Sequence, residues 1–330
     1  MKKEVSLFLD SGAHSFYMKS KLKNENFSDK EFNEYFISYM DFIKKNKDYI
    51  DVYVNLDVIN DPEWSYKNYL IMKKNGLDPI PVVHPGEDPK WMKKYLDLNC
   101  SYVGTGGLGQ FFTKGKYIDW VSRVWCDVLT DKQGFPVAKV HGFAVTSLEV
   151  MLMFPWFSVD STSWVMTSRF GSVYVPRKNK GKYDYTLNPW KVAVSAKSPS
   201  QEDAGQHITT FALMDRREIE EYFKFKGFKL GKSETQQVGK DYKLKAGERW
   251  FGKEEADTQR IMYGDRRGYV KTGWEKDLMI EFVIESGLSN DYKQRDELNI
   301  IYFLDLEKNF PKWPWSFKKK KSIEGFGLSY

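Results

Sequence analysis

The sequence predicts a TIM-type (β/α)8 barrel over residues 1–226, with an appended C-terminal basic and aromatic region over residues 227–330. Short apolar runs ending in turn or polar residues alternate with stretches of helical periodicity. Those runs are continuous rather than alternating, as strands of a covered parallel sheet require, and the strand-then-helix units number eight. A doubly wound sheet is the alternative with the same grammar. The 330 residues, 41% hydrophobic and 16% aromatic, suffice for one large barrel or two domains and exclude a disordered chain.

The first unit is an apolar run, Val5 to Leu9, that turns sharply at Asp10-Ser11-Gly12. A helix starting near Phe27-Ser28-Asp29 carries Phe32, Tyr35, Phe36, Tyr39, Met40 and Ile43 at helical spacing. Asp51 to Leu56 reads as a strand ending at Asp57, Trp64 to Lys74 as a helix, Pro79 to Val83 as a strand ending at His84, and Pro89 to Leu98 as a helix. Ser101 to Val103 runs into Gly104-Thr105-Gly106-Gly107, Tyr117 to Leu129 is helical, and Pro136 to Val140 is a strand ending at His141-Gly142. A short helix at Ser147 to Met153 leads to a strand at Trp156 to Val159, ending at Asp160. Ser172 to Val175 and Lys191 to Ser195 are the seventh and eighth strands, followed by a helix through Ile208 to Phe225. The remainder is rich in Lys, Gly and Trp, shows one apolar strand at Asn299 to Leu304, and contains Lys318, Lys319, Lys320 and Lys321 in a row.

Lys and Arg number 51 against 45 Asp and Glu, a net charge of +6 that suits a polyanionic partner. Two cysteines, Cys100 and Cys126, build neither a disulfide framework nor a four-cysteine zinc site, so a reducing, cytoplasmic setting is expected. The N-terminal apolar run breaks at Asp10, too early for a signal peptide, and no stretch reaches the roughly 18–20 apolar residues of a membrane helix, so no membrane partner is expected.

In barrels the chemistry sits at the C-terminal ends of the strands. That rule gathers Asp10, Asp57, His84, the Gly104–Gly107 turn, His141 and Asp160 on one face. Each Asp alone commonly caps a helix or forms a turn. Three together point to glycosidic chemistry, in which one carboxylate attacks an anomeric carbon and another carries a proton. No pair has the HExxH spacing of a metal helix, so neither metal nor cofactor is expected. The glycine turn fits neither GxGxxG nor the P-loop; close backbone approach to a flat ligand is its alternative use.

Asp10-Ser11-Gly12-Ala13 resembles the DSGG segment of the tRNA-guanine transglycosylases, and Gly106-Gly107-Leu108 their GGL turn. Pro81-Val82-Val83-His84-Pro85-Gly86 stands where that family has a strand ending in Gln-Gly, and Ser158-Val159-Asp160 stands at its GVD segment, before Thr167-Ser168-Arg169. The phrases His141-Gly142-Phe143-Ala144-Val145-Thr146-Ser147 and Ser158 to Trp164 look closer still to the phage-type DNA 7-deazaguanine transglycosylases. The resemblance covers residues 5 to about 175. It implies a TIM barrel that exchanges guanine in DNA for a 7-deazaguanine base by double displacement, without ATP, as in DNA modification that evades restriction. It further implies Asp160 as nucleophile, Asp10 as proton carrier, and Asp57 as reader of the guanine edge. His84 replaces the glutamine, Gly106 and Gly107 offer amides to the base, and His14, or alternatively Phe16 or Phe143, stacks on it, with His141 beside them. Exchange in tRNA, or nucleic-acid binding without chemistry, are the other readings. Arg169, and the aromatic-interleaved Arg249, Arg266, Arg267 and Lys318 to Lys321, are expected to hold phosphates, although a four-lysine run is equally a solvated tail.

The chain departs from the tRNA enzymes in two respects. An ungapped comparison sets their nucleophilic aspartate at Ser163, leaving Asp160 as the only carboxylate of that segment. Their three-cysteine, one-histidine zinc site after the barrel has no counterpart among two cysteines. Base exchange is therefore expected to survive exhaustive chelation. Activity lost with EDTA and restored by zinc would contradict this.

Overall fold

A computed structural model describes residues 6–17, 29–107, 113–145, 147–198, 204–239, 241–250, 258–263, 266–271 and 278–317. The chain is a mixed α/β protein that forms two compact units, one running to Ser161 and resuming at Pro311, the other spanning Thr162–Phe310. The division thus falls inside the span 1–226 expected as a single barrel domain.

The first unit follows the predicted alternation: β1 (Phe8–Leu9), α1 (Asp29–Lys45), β2 (Val52–Tyr53), α2 (Pro62–Lys74), β3 (Val82–Val83), α3 (Lys90–Asp97), β4 (Tyr102–Thr105), α4 (Lys114–Val124), β5 (Lys139–Gly142), α5 (Leu148–Met153) and β6 (Ser158–Val159). The helices begin where the local chemistry permits. Asp61 caps α2 by accepting from the Trp64 N–H, with Pro62 opening the helix, and Thr113 caps α4 through the Lys116 N–H. Phe32, Phe36, Tyr39, Met40 and Ile43 form one buried face of α1 and pack with Leu56, Met72 and Leu77.

All six strands run parallel and in sequence order. β1 pairs with β2, a Val54–Ile80 bridge joins β2 to β3, and β3 to β6 form a continuous four-stranded sheet. The register aligns Val82, Gly104, His141 and Ser158 in one row across β3 to β6. With a side-chain period of two, His84, Gly106, Phe143 and Asp160 form the next row on the same face, beyond the C-terminal ends of the strands. The sheet is strongly curved. Four strand spacings separate β1 from β5, about 19 Å on a flat sheet, yet the rings of Phe8 and His141 stack with centroids 4.6 Å apart.

The second unit breaks the pattern. α6 (Ser163–Arg169) is followed by β7 (Ser172–Val175), β8 (Arg177–Asn179), β9 (Lys182–Asp184) and β10 (Trp190–Ala193). The strands expected as seventh and eighth, Ser172 to Val175 and Lys191 to Ser195, pair antiparallel with each other. What lies between them is not a crossover helix but the β8–β9 hairpin, whose turn residues Lys180 and Gly181 adopt φ of 50° and 79°. A hairpin returns the chain antiparallel, whereas parallel pairing needs a longer crossover. A closed eight-stranded barrel is therefore not identified.

After α7 (Leu213–Phe225), β11 (Lys232–Val238), β12 (Glu248–Trp250) and β15 (Leu278–Glu285) form an antiparallel sheet, and β13 (Thr258–Tyr263) pairs with β14 (Arg266–Lys271). The strand expected at Asn299 to Leu304 lies instead within α8 (Tyr292–Asn309), where Leu298, Tyr302 and Leu306 are buried one turn apart and Asp291 caps the start. Asn299 explains why a polar residue sits in that buried face. It accepts from the Tyr174 N–H (2.9 Å) and donates to the carbonyls of Trp164 (3.0 Å) and Ser172 (3.4 Å), tying α8 to β7 and α6. Asn299→Leu strands these groups without partners and is expected to cost about 2–4 kcal/mol in chemical denaturation. A loss below about 1 kcal/mol would deny the tie its role.

Candidate functional site

The row beyond the strand ends supplies the site, and all of its residues belong to the first unit. Asp57, only 5% exposed, anchors it. Its Oδ2 lies 2.5 Å from His84 Nε2, and its Oδ1 accepts from Ser11 Oγ at 3.2 Å. Both oxygens of the residue expected to read a guanine edge thus face the protein. Burial alone would push the His84 imidazole down, but the Asp57 carboxylate and Glu87 outweigh it and hold its pKa above the ordinary histidine value.

Glu87, which the sequence reading passed over, closes the turn after β3 by accepting the His84 N–H through Oε2 at 2.9 Å. Its backbone carbonyl accepts from Trp120 Nε1 (2.8 Å), its other carboxyl oxygen has no partner among the described residues, and burial pushes its pKa up to about 7 against the pull of His84.

Asp10 and Asp160 sit in contrasting surroundings. Asp10 keeps exposed surface, yet desolvation of its carboxyl raises its pKa; the charges of Asp57 and Asp160 act in the same sense, against the backbone donors of Ser11 and Gly12. Asp160 is 58% exposed. Desolvation pushes it up as well, but the His141 imidazole at 3.7 Å and the Ala144 N–H, which donates to Oδ1 at 2.7 Å, outweigh that and lower its pKa. Ala144 adopts φ of 53°, a left-handed conformation costly for a residue with a Cβ, and by doing so aims its N–H at the carboxylate.

The glycine turn is shaped by the protein's own side chains. A Cβ on Gly106 would fall 2.4 Å from His84 Nδ1, and one on Gly107 would fall 2.3 Å from the Phe143 carbonyl oxygen. Gly106 N–H donates to the Val83 carbonyl (2.9 Å), so this amide is already used in the ladder. Of the expected stackers, His14 is exposed, whereas Phe16 packs edge-on against Tyr35 at 4.5 Å and against Phe32. Phe143 and His141 pack on each other at 4.3 Å, and His141 is 3% exposed.

The expected phosphate contacts fare differently. Arg169 is exposed at the end of α6 in the second unit. Arg249 is committed in that unit to buried Glu281 (2.8 Å) and the Asn290 carbonyl (2.5 Å). Arg266 and Arg267 lie on β14, and nothing is described of their side chains; Lys318 to Lys321 lie outside the described residues. Among the described residues no helix is long and apolar enough to cross a membrane, and no group of three His, Cys, Asp or Glu is arranged to hold a metal. No family model, curated protein or solved structure matches the chain.

Glu87 generates a testable pH dependence. Its folded pKa of about 7 exceeds the unfolded value of 4.5, so its stabilisation is complete below pH 4.5 and is lost as pH rises through about 7. Glu87→Gln keeps the shape and removes the titration. Between pH 4.5 and pH 8 the wild type is expected to lose up to roughly 3 kcal/mol more than the variant. Parallel denaturation curves for the two proteins at both pH values would refute this.

Proposed function

We propose that the first unit carries a glycosyl-transfer site that exchanges guanine in DNA for a 7-deazaguanine base. The observation that carries the reading is the pair of carboxylates at the ends of β1 and β6, close enough for the Asp160 charge to act on Asp10 and pushed in opposite directions in pKa. Two carboxylates with divergent proton affinities divide naturally into an ionised nucleophile and a proton carrier. Asp160 suits the first role and Asp10 the second. Six parallel strands in sequence order on a strongly curved sheet support descent from a barrel, with the site at the strand ends where barrel chemistry sits.

In the first displacement an Asp160 carboxylate oxygen attacks C1′ of the nucleotide, forming an ester as the C1′–N9 bond breaks, and the departing guanine takes the proton of Asp10. In the second, the incoming base gives its N9 proton to Asp10 and attacks C1′, and the Asp160 ester breaks. Atoms and charge balance, and neither ATP nor an electron carrier is consumed. Asp57, with both oxygens engaged, supports the site by fixing His84 and Ser11, so contact with the base falls to Asp10 and the exposed residues around it. A base stacked in a duplex hides C1′, so the enzyme must flip the nucleotide or take single strands, at a cost of a few kcal/mol. DNA rather than tRNA rests on the likeness of the segments around His141 and Asp160 to the DNA-acting enzymes.

Labelled guanine and a preQ-type base, incubated in parallel with duplex DNA, single-stranded DNA and tRNA, test the reading. Incorporation is expected in DNA, and Asp160→Ala is expected to reduce it at least about 10³-fold while leaving the fold intact. Faster incorporation into tRNA would overturn the polymer assigned, exchange by Asp160→Ala would overturn the nucleophile, and no incorporation anywhere would leave a binding protein.

A further inference from the structure

His141 is buried at the foot of the site, and its surroundings assign it a different task from touching a base. It faces Ser158 directly across the β5–β6 ladder, while Tyr102 lies two residues before Gly104, its partner on β4, so all three side chains share one face. Ser158 Oγ lies 2.6 Å from His141 Nδ1 and 2.6 Å from Tyr102 Oη. Phe8 stacks on the imidazole and Phe143 meets it edge-on. Among the described residues, Nε2 is buried without a hydrogen-bond partner and is 3.7 Å from Asp160 Oδ1.

A hydroxyl has one proton to give, which restricts the chain to a few states. If Tyr102 donates to Ser158 and Ser158 to Nδ1, the imidazole proton sits on Nε2, toward Asp160. If the neutral imidazole instead donates from Nδ1, the Nε2 lone pair points at a carboxylate and is repelled. If the imidazole gains a second proton, the chain reverses, but Nε2–H still faces Asp160. Every favourable state therefore presents a proton to the carboxylate. We propose that Tyr102, Ser158 and His141 form a hydroxyl–imidazole relay of positioning residues that keeps Asp160 ionised. The proposal rests on the reading above only in taking Asp160 as the nucleophile. The other groups acting on Asp160 are the Ala144 N–H and its own backbone N–H, both of which favour ionisation, while the Asp160 charge in turn raises the proton affinity of Asp10 on the facing end of β1.

The direct test is the titration of Asp160 itself in the full chain without substrate, by NMR of carboxyl-labelled aspartate, with the signal assigned through Asp160→Asn. Ser158→Ala frees the imidazole to adopt the wrong tautomer, so the Asp160 midpoint is expected to rise by about one pH unit. Tyr102→Phe should move it the same way by less, and His141→Phe by the most. Ser158→Thr, which keeps the hydroxyl, and His141→Gln, which keeps a donor, should restore it. In the exchange assay the acid limb of kcat/KM should rise with the same ranking. An Asp160 midpoint unmoved in Ser158→Ala and in Tyr102→Phe overturns the relay even if exchange proceeds; Tyr102→Phe alone decides if the serine variant does not fold. A moved midpoint in a protein that exchanges no base keeps the relay and overturns the enzymatic reading.

Discussion

A carboxylate with 5% of its surface exposed has lost most of the water that stabilised its charge, at a cost of several kcal/mol unless neighbours replace it. Asp57 recovers that loss from the His84 imidazole and the Ser11 hydroxyl, and the demands of those two contacts propagate through the strand ends. His84 can reach Asp57 only by lying over the backbone of Gly106, where any Cβ would collide with its ring. Ser11 is fixed from its other side as Tyr35 donates to its carbonyl at 2.9 Å, and the chain then turns through Gly12 at φ of 77°. Asp10, one residue earlier, is consequently held within reach of the Asp57 charge, which adds to desolvation in raising its proton affinity. The proton affinity of the exposed acid is set in part by a buried one.

Curvature converts this local arrangement into a site. On a flat sheet β1 and β6 would lie too far apart for their terminal carboxylates to influence each other. Stacking of Phe8 on His141 is the packing counterpart of that curvature, and it places β1 against the strand whose histidine adjoins Asp160. The aromatic layer below the carboxylates also excludes water from the imidazole, which strengthens its interaction with Asp160 relative to the same pair in solvent.

Strand ends were legible because apolar runs that stop at Asp10, Asp57, His84 and Asp160 mark both the element and the polar residue beyond it. Helices α1 to α5 and α7 were legible from periodicity, whereas no helix was expected at the short α6. The hairpin between β8 and β9 was hidden by the expectation of a crossover, although Asn179-Lys180-Gly181 is a turn signal. The run from Asn299 to Leu304 misled because a short apolar stretch fits strand and helix alike, and only the cap at Asp291 and the four-residue spacing of Leu298, Tyr302 and Leu306 separate them. Glu87, Ser158 and the donor role of Ala144 carried no signal in one dimension. Their importance comes from cross-strand register and from a turn geometry that no residue type announces.

The two ends of the strands in the first unit divide its labour. At the C-terminal ends lie a buried carboxylate, a left-handed alanine and two carboxylates in unequal surroundings, all of which spend stability. At the N-terminal ends the chain that resumes at Pro311 packs back on the unit: Phe317 donates its N–H to the Gly134 carbonyl (2.7 Å) and sets its ring against Phe154 and Trp125, while Trp313 meets Phe157 edge-on. Gly134 precedes β5 and Phe157 precedes β6, so this aromatic strap braces the sheet at the end opposite the candidate site, where added packing leaves the carboxylates uncrowded.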